Sequence, residues 1–102
     1  MERSGNATHV ALLSATGITG DPLPKRSLER IMDQLGQQIR TNLRRGDTFS
    51  QCSVSQYIIM LPQANYENSC MVCRRIITAF NRQYPHTPAR IDYAVQSLNP
   101  HE

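Results

Sequence analysis

The chain has 102 residues, 39% of them hydrophobic and 19% charged, a balance that suits one folded domain and excludes a disordered segment. Its net charge of +3 comes from scattered arginines rather than a dense basic run, so a solvated basic face is expected and direct nucleic-acid contact is not. No apolar stretch approaches the roughly 18 residues that cross a bilayer, and Met1 to Ala7 lacks the basic-then-apolar layout of a signal peptide, which predicts a cytoplasmic protein with no membrane contact. The three cysteines are an odd count and argue against a disulfide framework.

Taken in chain order, His9-Val10-Ala11-Leu12-Leu13 predicts a strand. Gly17, Gly20, Asp21, Pro22 and Pro24 then predict a turn-rich loop. Ser27 is placed to cap a helix whose buried stripe is Leu28, Ile31, Met32, Leu35, Ile39 and Leu43, at steps of three and four. Gly46 is expected to end it, after the basic pair Arg44-Arg45. Thr48 to Cys52 has edge-strand character, whereas Tyr57-Ile58-Ile59-Met60-Leu61 is nearly continuous, as in a central strand. About four residues separate the two, which predicts a β-hairpin. Asn65 can cap a second helix, with Cys70, Cys73, Ile76, Ile77, Phe80 and Tyr84 buried and Pro85 and Pro88 stopping it. Ile91, Tyr93 and Val95 alternate with Asp92, Ala94 and Gln96 as a half-buried strand.

The order strand, helix, strand, strand, helix, strand predicts an α+β domain occupying residues 1–102, with its core at about 8–98. Two helices on one face of a four-stranded antiparallel sheet, a ferredoxin-like or nucleotide-cyclase-like βαββαβ arrangement, bury both stripes at once.

The stretch Leu43-Arg44-Arg45-Gly46-Asp47, then Tyr57 to Pro62, then Asn65 to Ile76, resembles the centre of the diguanylate cyclase family, the GGDEF domains. The resemblance covers roughly Val10 to Leu98. It places the five positions of the Gly-Gly-Asp/Glu-Glu-Phe hairpin on Ser53, Val54, Ser55, Gln56 and Tyr57, where only the last keeps its aromatic character. It implies that one metal-binding carboxylate position falls on Ser55 and another within Ser14-Ala15-Thr16-Gly17, so neither offers the hard anionic oxygen that magnesium needs. Ser53 and Val54 add side chains where glycines let the backbone approach a nucleotide, and Val54 resists a left-handed turn. The family also continues with a further helix and strand. The resemblance therefore implies a degenerate, shortened relative with no catalytic residues, no metal and no cofactor.

Arg44 and Asp47 keep the arginine-x-x-aspartate pattern that in the family belongs to an inhibitory site for cyclic di-GMP. Arginine can bind guanine edges and phosphate bidentately, so these two are the candidate ligand-binding residues. The competing reading has Arg44 at a helix end and Asp47 bonding backbone in a turn.

Cys70 and Cys73 lie about one turn apart on a helix with no second cysteine or histidine pair to complete a zinc site, so core packing is expected, and Cys52 reads the same way. His9, His86 and His101 have no nucleophile or ligand set beside them. Arg74, Arg75 and Arg82 are expected on the outer side of the second helix. Four tyrosines and two phenylalanines supply too few aromatics for a base-stacking sheet.

The expected function is a non-catalytic regulatory or protein-interaction domain of a larger bacterial signalling or transcription regulator. Sheet edges and a small core favour a protein partner or self-association. The alternative is a cyclic di-GMP or nucleotide sensor without turnover, through Arg44 and Asp47.

Overall fold

The computed structural model describes residues 8–98. Alternation along the strands divides their side chains between two faces. On β1 (His9–Gly17), Ala11, Leu13 and Ala15 point to one side, and on β3 (Gln56–Leu61), Tyr57, Ile59 and Leu61 do the same. Both helices, α1 (Lys25–Asn42) and α2 (Tyr66–Gln83), close over that face, and their stripes join one buried cluster containing Ile31, Leu35, Ile39, Cys73, Ile76 and Phe80. Ala89 and Ile91 of β4 (Ala89–Ser97) complete it. With β2 (Thr48–Ser53), the strands form an antiparallel sheet in the order β2-β3-β1-β4. The α+β, βαββαβ architecture is thus the one the sequence predicts, with both helices on one side.

Boundaries differ from expectation where side chains compete with the helix. Ser27 caps nothing. The helix begins three residues earlier than a Ser27 cap would place it, at Lys25 behind Pro24 (φ −57°, ψ 147°), whose carbonyl accepts from Leu28 N at 2.8 Å. α1 stops at Asn42 rather than near Gly46, because Asn42 Nδ2 and Thr41 Oγ1 donate to the Gln38 carbonyl at 2.7 and 3.1 Å and Leu43 is extended. Gly46, at φ 97°, serves the turn that follows. Arg40 is the basic residue in the last turn, and Arg44 and Arg45 lie beyond it. Asn65 caps α2 as expected, with Oδ1 accepting from Asn68 N at 2.7 Å.

The opposite face of the sheet carries Leu12, Ile58 and Met60, all half-buried, beside Ala94 and Ser50. No described helix is long and apolar enough to cross a membrane.

Candidate functional site

The end of β1 and the β2–β3 hairpin meet at one edge of the molecule. Ser14 lies opposite Gln56, and the Ala15 amide donates to the Ser55 carbonyl at 2.9 Å. Two residues, Val54 and Ser55, make the turn, so both strands run closer to it than the sequence suggests. The tightest hairpin turns need positive φ, which neither residue supplies: among the described residues only Gly20 and Gly46 have it. The chain takes up the difference as a register shift between Gln51 and Ser53, which leaves Cys52 without a cross-strand partner.

The polar side chains of this hairpin satisfy one another. Gln56 Nε2 donates to Ser14 Oγ at 3.1 Å, and Ser53 Oγ donates to Gln56 Oε1 at 3.2 Å. The Ser55 amide donates in turn to Ser53 Oγ at 3.3 Å. All of these groups are neutral. Of the carboxylates nearby, Asp92 lies opposite Ser14 but pairs with Arg90 Nε at 3.2 Å, Asp21 accepts from Thr19 Oγ1 at 3.3 Å, and Glu29 and Asp33 lie on α1 in the cleft beside Gln51 and Val54 with Lys25. A magnesium ion needs several oxygens with negative charge among them, and hydroxyls engaged with an amide do not meet that need. Among the described residues, no group of three or more His, Cys, Asp or Glu side chains converges. The donor set does not fit a catalytic metal pair.

Two clefts flank Val54, which is 74% exposed at the hairpin tip. One, of about 280 Å³, is lined by Lys25, Leu28, Glu29, Met32, Asp33 and Gln51 as well as Val54. The other, of about 270 Å³, runs along Ala15, Thr16, Asp21, Pro22 and Leu23 and again meets Leu28 and Val54.

Tyr57, the first residue of the apolar run of β3, points inward beneath α1. Its hydroxyl donates to the Met32 carbonyl at 2.9 Å, and its ring tilts against Phe49 at 5.6 Å between centroids. Burial raises the phenol's pKa, the Asp33 carboxylate raises it further, and Arg40 partly offsets both.

Arg44 and Asp47 come together in the turn before β2. The Arg44 amide donates to Asp47 Oδ2 at 3.0 Å, and the Asp47 amide returns a bond to the Arg44 carbonyl at 3.0 Å. The aspartate thus holds its own turn closed. A shallow cleft of about 170 Å³ opens beside it, lined by Arg44, Arg45, Gly46, Asp47, Pro62 and Gln63.

Cys70 and Cys73 are buried, as expected, and burial together with the neighbouring Cys70 pushes the Cys73 thiol up to about 12. Cys52 is not core filler. It is exposed at the bulge of the edge strand, with Sγ 3.7 Å from the Gln56 carbonyl. His9 is buried and its Nδ1 lies 2.8 Å from the Ala64 carbonyl, a structural bond in which Nδ1 carries the proton. His86 is exposed in the loop before β4, and His101 lies outside the described residues. Arg74, Arg75 and Arg82 are exposed on α2, and Arg74 donates to the Tyr93 hydroxyl at 3.2 Å. Sequence reasoning missed the Gln56–Ser14 bond and the Tyr57–Met32 contact. Gly36, inside the apolar stripe of α1, was the available signal for the second.

No protein-family model and no curated protein sequence matches the chain. Solved structures do. An EAL/GGDEF domain protein from M. capsulatus superposes with a TM-score of 0.74 at 20% identity, over 97% of this chain and 68% of that one. A DGC protein from Thermotoga maritima gives 0.68 at 13% identity, over 92% and 66%. The diguanylate cyclase SiaD of Pseudomonas aeruginosa, solved in complex with its activator SiaC, gives 0.60 at 15% identity, over 91% and 38%. The chain therefore has the fold of GGDEF domains. It spans about two thirds of the first two relatives and less of the third.

Proposed function

We propose that this chain is a non-catalytic regulatory domain that works through protein contacts, a GGDEF-like fold in which Ser53, Val54, Ser55, Gln56 and Tyr57 stand at the signature positions without the chemistry. The observation that carries this reading is the neutral network of Ser14, Ser53 and Gln56, whose members spend their polar atoms on each other. Cyclase chemistry joins two GTP molecules through bound metal ions, and charge compensation by neighbouring carboxylates is what neutral hydroxyls lack.

The larger context is a bacterial signalling or transcription-control protein in the cytoplasm, in which this domain engages a protein partner or a second copy of itself. The length of the structural neighbours relative to this chain supports a larger parent. SiaD, captured with its activator, supports protein contact as a mode available to the fold. The cyclic di-GMP sensor is the second reading. It is favoured by the cleft beside Arg44 and weakened by Asp47, one of whose carboxylate oxygens already serves the Arg44 amide.

Thermal unfolding in the presence of GTP with Mg²⁺, and separately of cyclic di-GMP, tests both. The account predicts an unchanged melting temperature in each case. A magnesium-dependent rise with GTP would overturn the non-catalytic reading, and a rise with cyclic di-GMP that Arg44→Ala removes would favour the sensor.

A further inference from the structure

The two clefts beside the hairpin share a ridge. Leu28 of α1 and Val54 of the turn line both, so the apolar floor is continuous from Met32 on one side to Leu23, Pro22 and Ala15 on the other. Val54 projects from this floor with 74% of its surface in water, so its side chain is free to be covered by a partner. The charges around the floor are of one dominant sign. Asp21, Glu29 and Asp33 line the clefts against the single ammonium group of Lys25. That sign runs against the chain's overall +3. A phosphate-bearing ligand meets repulsion from these carboxylates, whereas a cationic partner is attracted.

We infer that this groove is a docking site for a partner-protein segment that is apolar on one side and basic on the other. Two apolar side chains of the segment straddle Val54, one in each cleft. Lysine or arginine residues flanking them face Asp21, Glu29 and Asp33. The inference rests on the non-catalytic reading above and assigns that reading its surface. The chemistry is that of an amphipathic segment laid into an apolar groove, with acidic groups at the rim setting orientation and partner choice.

The test uses the intact chain labelled with nitrogen-15 and two synthetic amphipathic peptides, one of leucine and lysine and its counterpart with glutamate for lysine. The lysine peptide is expected to shift the amide signals of Leu23, Leu28 and Val54 and to bind at least about tenfold more tightly than the glutamate peptide. Val54→Ser, at an exposed turn where folding is not at stake, should weaken the lysine peptide about tenfold. The double variant Glu29→Lys, Asp33→Lys should invert the preference between the peptides. Absence of binding, equal binding of both peptides, or shifts centred on Leu12, Ile58 and Met60 of the opposite sheet face would overturn the proposed surface. None of those outcomes produces nucleotide binding, so failure of the groove and failure of the non-catalytic reading register in different assays.

Discussion

Tyr57 occupies the space that Gly36 leaves empty. A Cβ on residue 36 would lie 2.6 Å from the Tyr57 hydroxyl and 3.2 Å from its Cζ, inside van der Waals contact with both. The absence of that atom lets the phenol pass under α1 and donate to the Met32 carbonyl. The hairpin is thereby pinned to the helix above it through the Tyr57 side chain.

Two opposing effects decide the sign of Gly36→Ala. Alanine in a helix interior is favoured over glycine by roughly 1 kcal/mol. Displacing the phenol forfeits a buried hydrogen bond worth about 1 kcal/mol and leaves the overlap to be relieved. Net destabilisation of about 1–2 kcal/mol is expected by urea denaturation. In the Tyr57→Phe background the nearest clashing atom is gone, so the same substitution should cost clearly less. Equal costs in the two backgrounds would show that the contact is not what excludes a side chain.

Asn65 is the side-chain cap of α2, and the Asn65 carbonyl also accepts from Ser69 N at 2.9 Å. Asn65→Ala should lower stability by about 1 kcal/mol, while Asn65→Asp should be close to neutral. Ser27→Ala at the start of α1 should change little, because Pro24 and not Ser27 opens that helix. Denaturant midpoints of the three variants check this.

The cysteines should separate by reactivity. Cys52 is exposed and Cys70 and Cys73 are buried. A thiol-reactive chromogen at neutral pH should titrate one group quickly and the other two only on unfolding. Rapid release of all three would place α2 away from the sheet.

Alkaline pH should destabilise the fold through Cys73. Its thiol is pushed up from 9.0 to about 12 by burial and by Cys70, with Arg74 opposing. A folded pKa above the unfolded one means that the stabilisation is complete below about pH 9 and is lost as pH rises toward 12. The slope is up to about 1.4 kcal/mol per pH unit for one group. Tyr57 adds to the loss above its ordinary value of 10.0. Denaturation midpoints should therefore fall between pH 9 and 10 in the parent chain and flatten there in Cys73→Ala.

The sequence made the architecture legible because the stripes of both helices and the alternation of the last strand are periodic, and burial follows period. Leu35, Ile39, Cys73, Ile76 and Phe80 are completely buried where spacing puts them. Helix ends were less legible, since Asn42 and Pro24 act through local bonds that compete with the stronger-looking signals of Gly46 and Ser27. Cys52 was misjudged because β2 lies at the sheet edge, where every residue except half-buried Phe49 is exposed. The hairpin's place was readable from residue types. The pairing of Gln56 with Ser14 spans 42 residues and required the register of β1 against β3.

Incubation of the purified chain with GTP and Mg²⁺ or Mn²⁺, with chromatographic detection of product, tests the central claim most directly. The neutral hairpin predicts no cyclic di-GMP above the protein-free control at any GTP concentration. Metal-dependent accumulation of cyclic di-GMP that scales with the amount of this chain would contradict it.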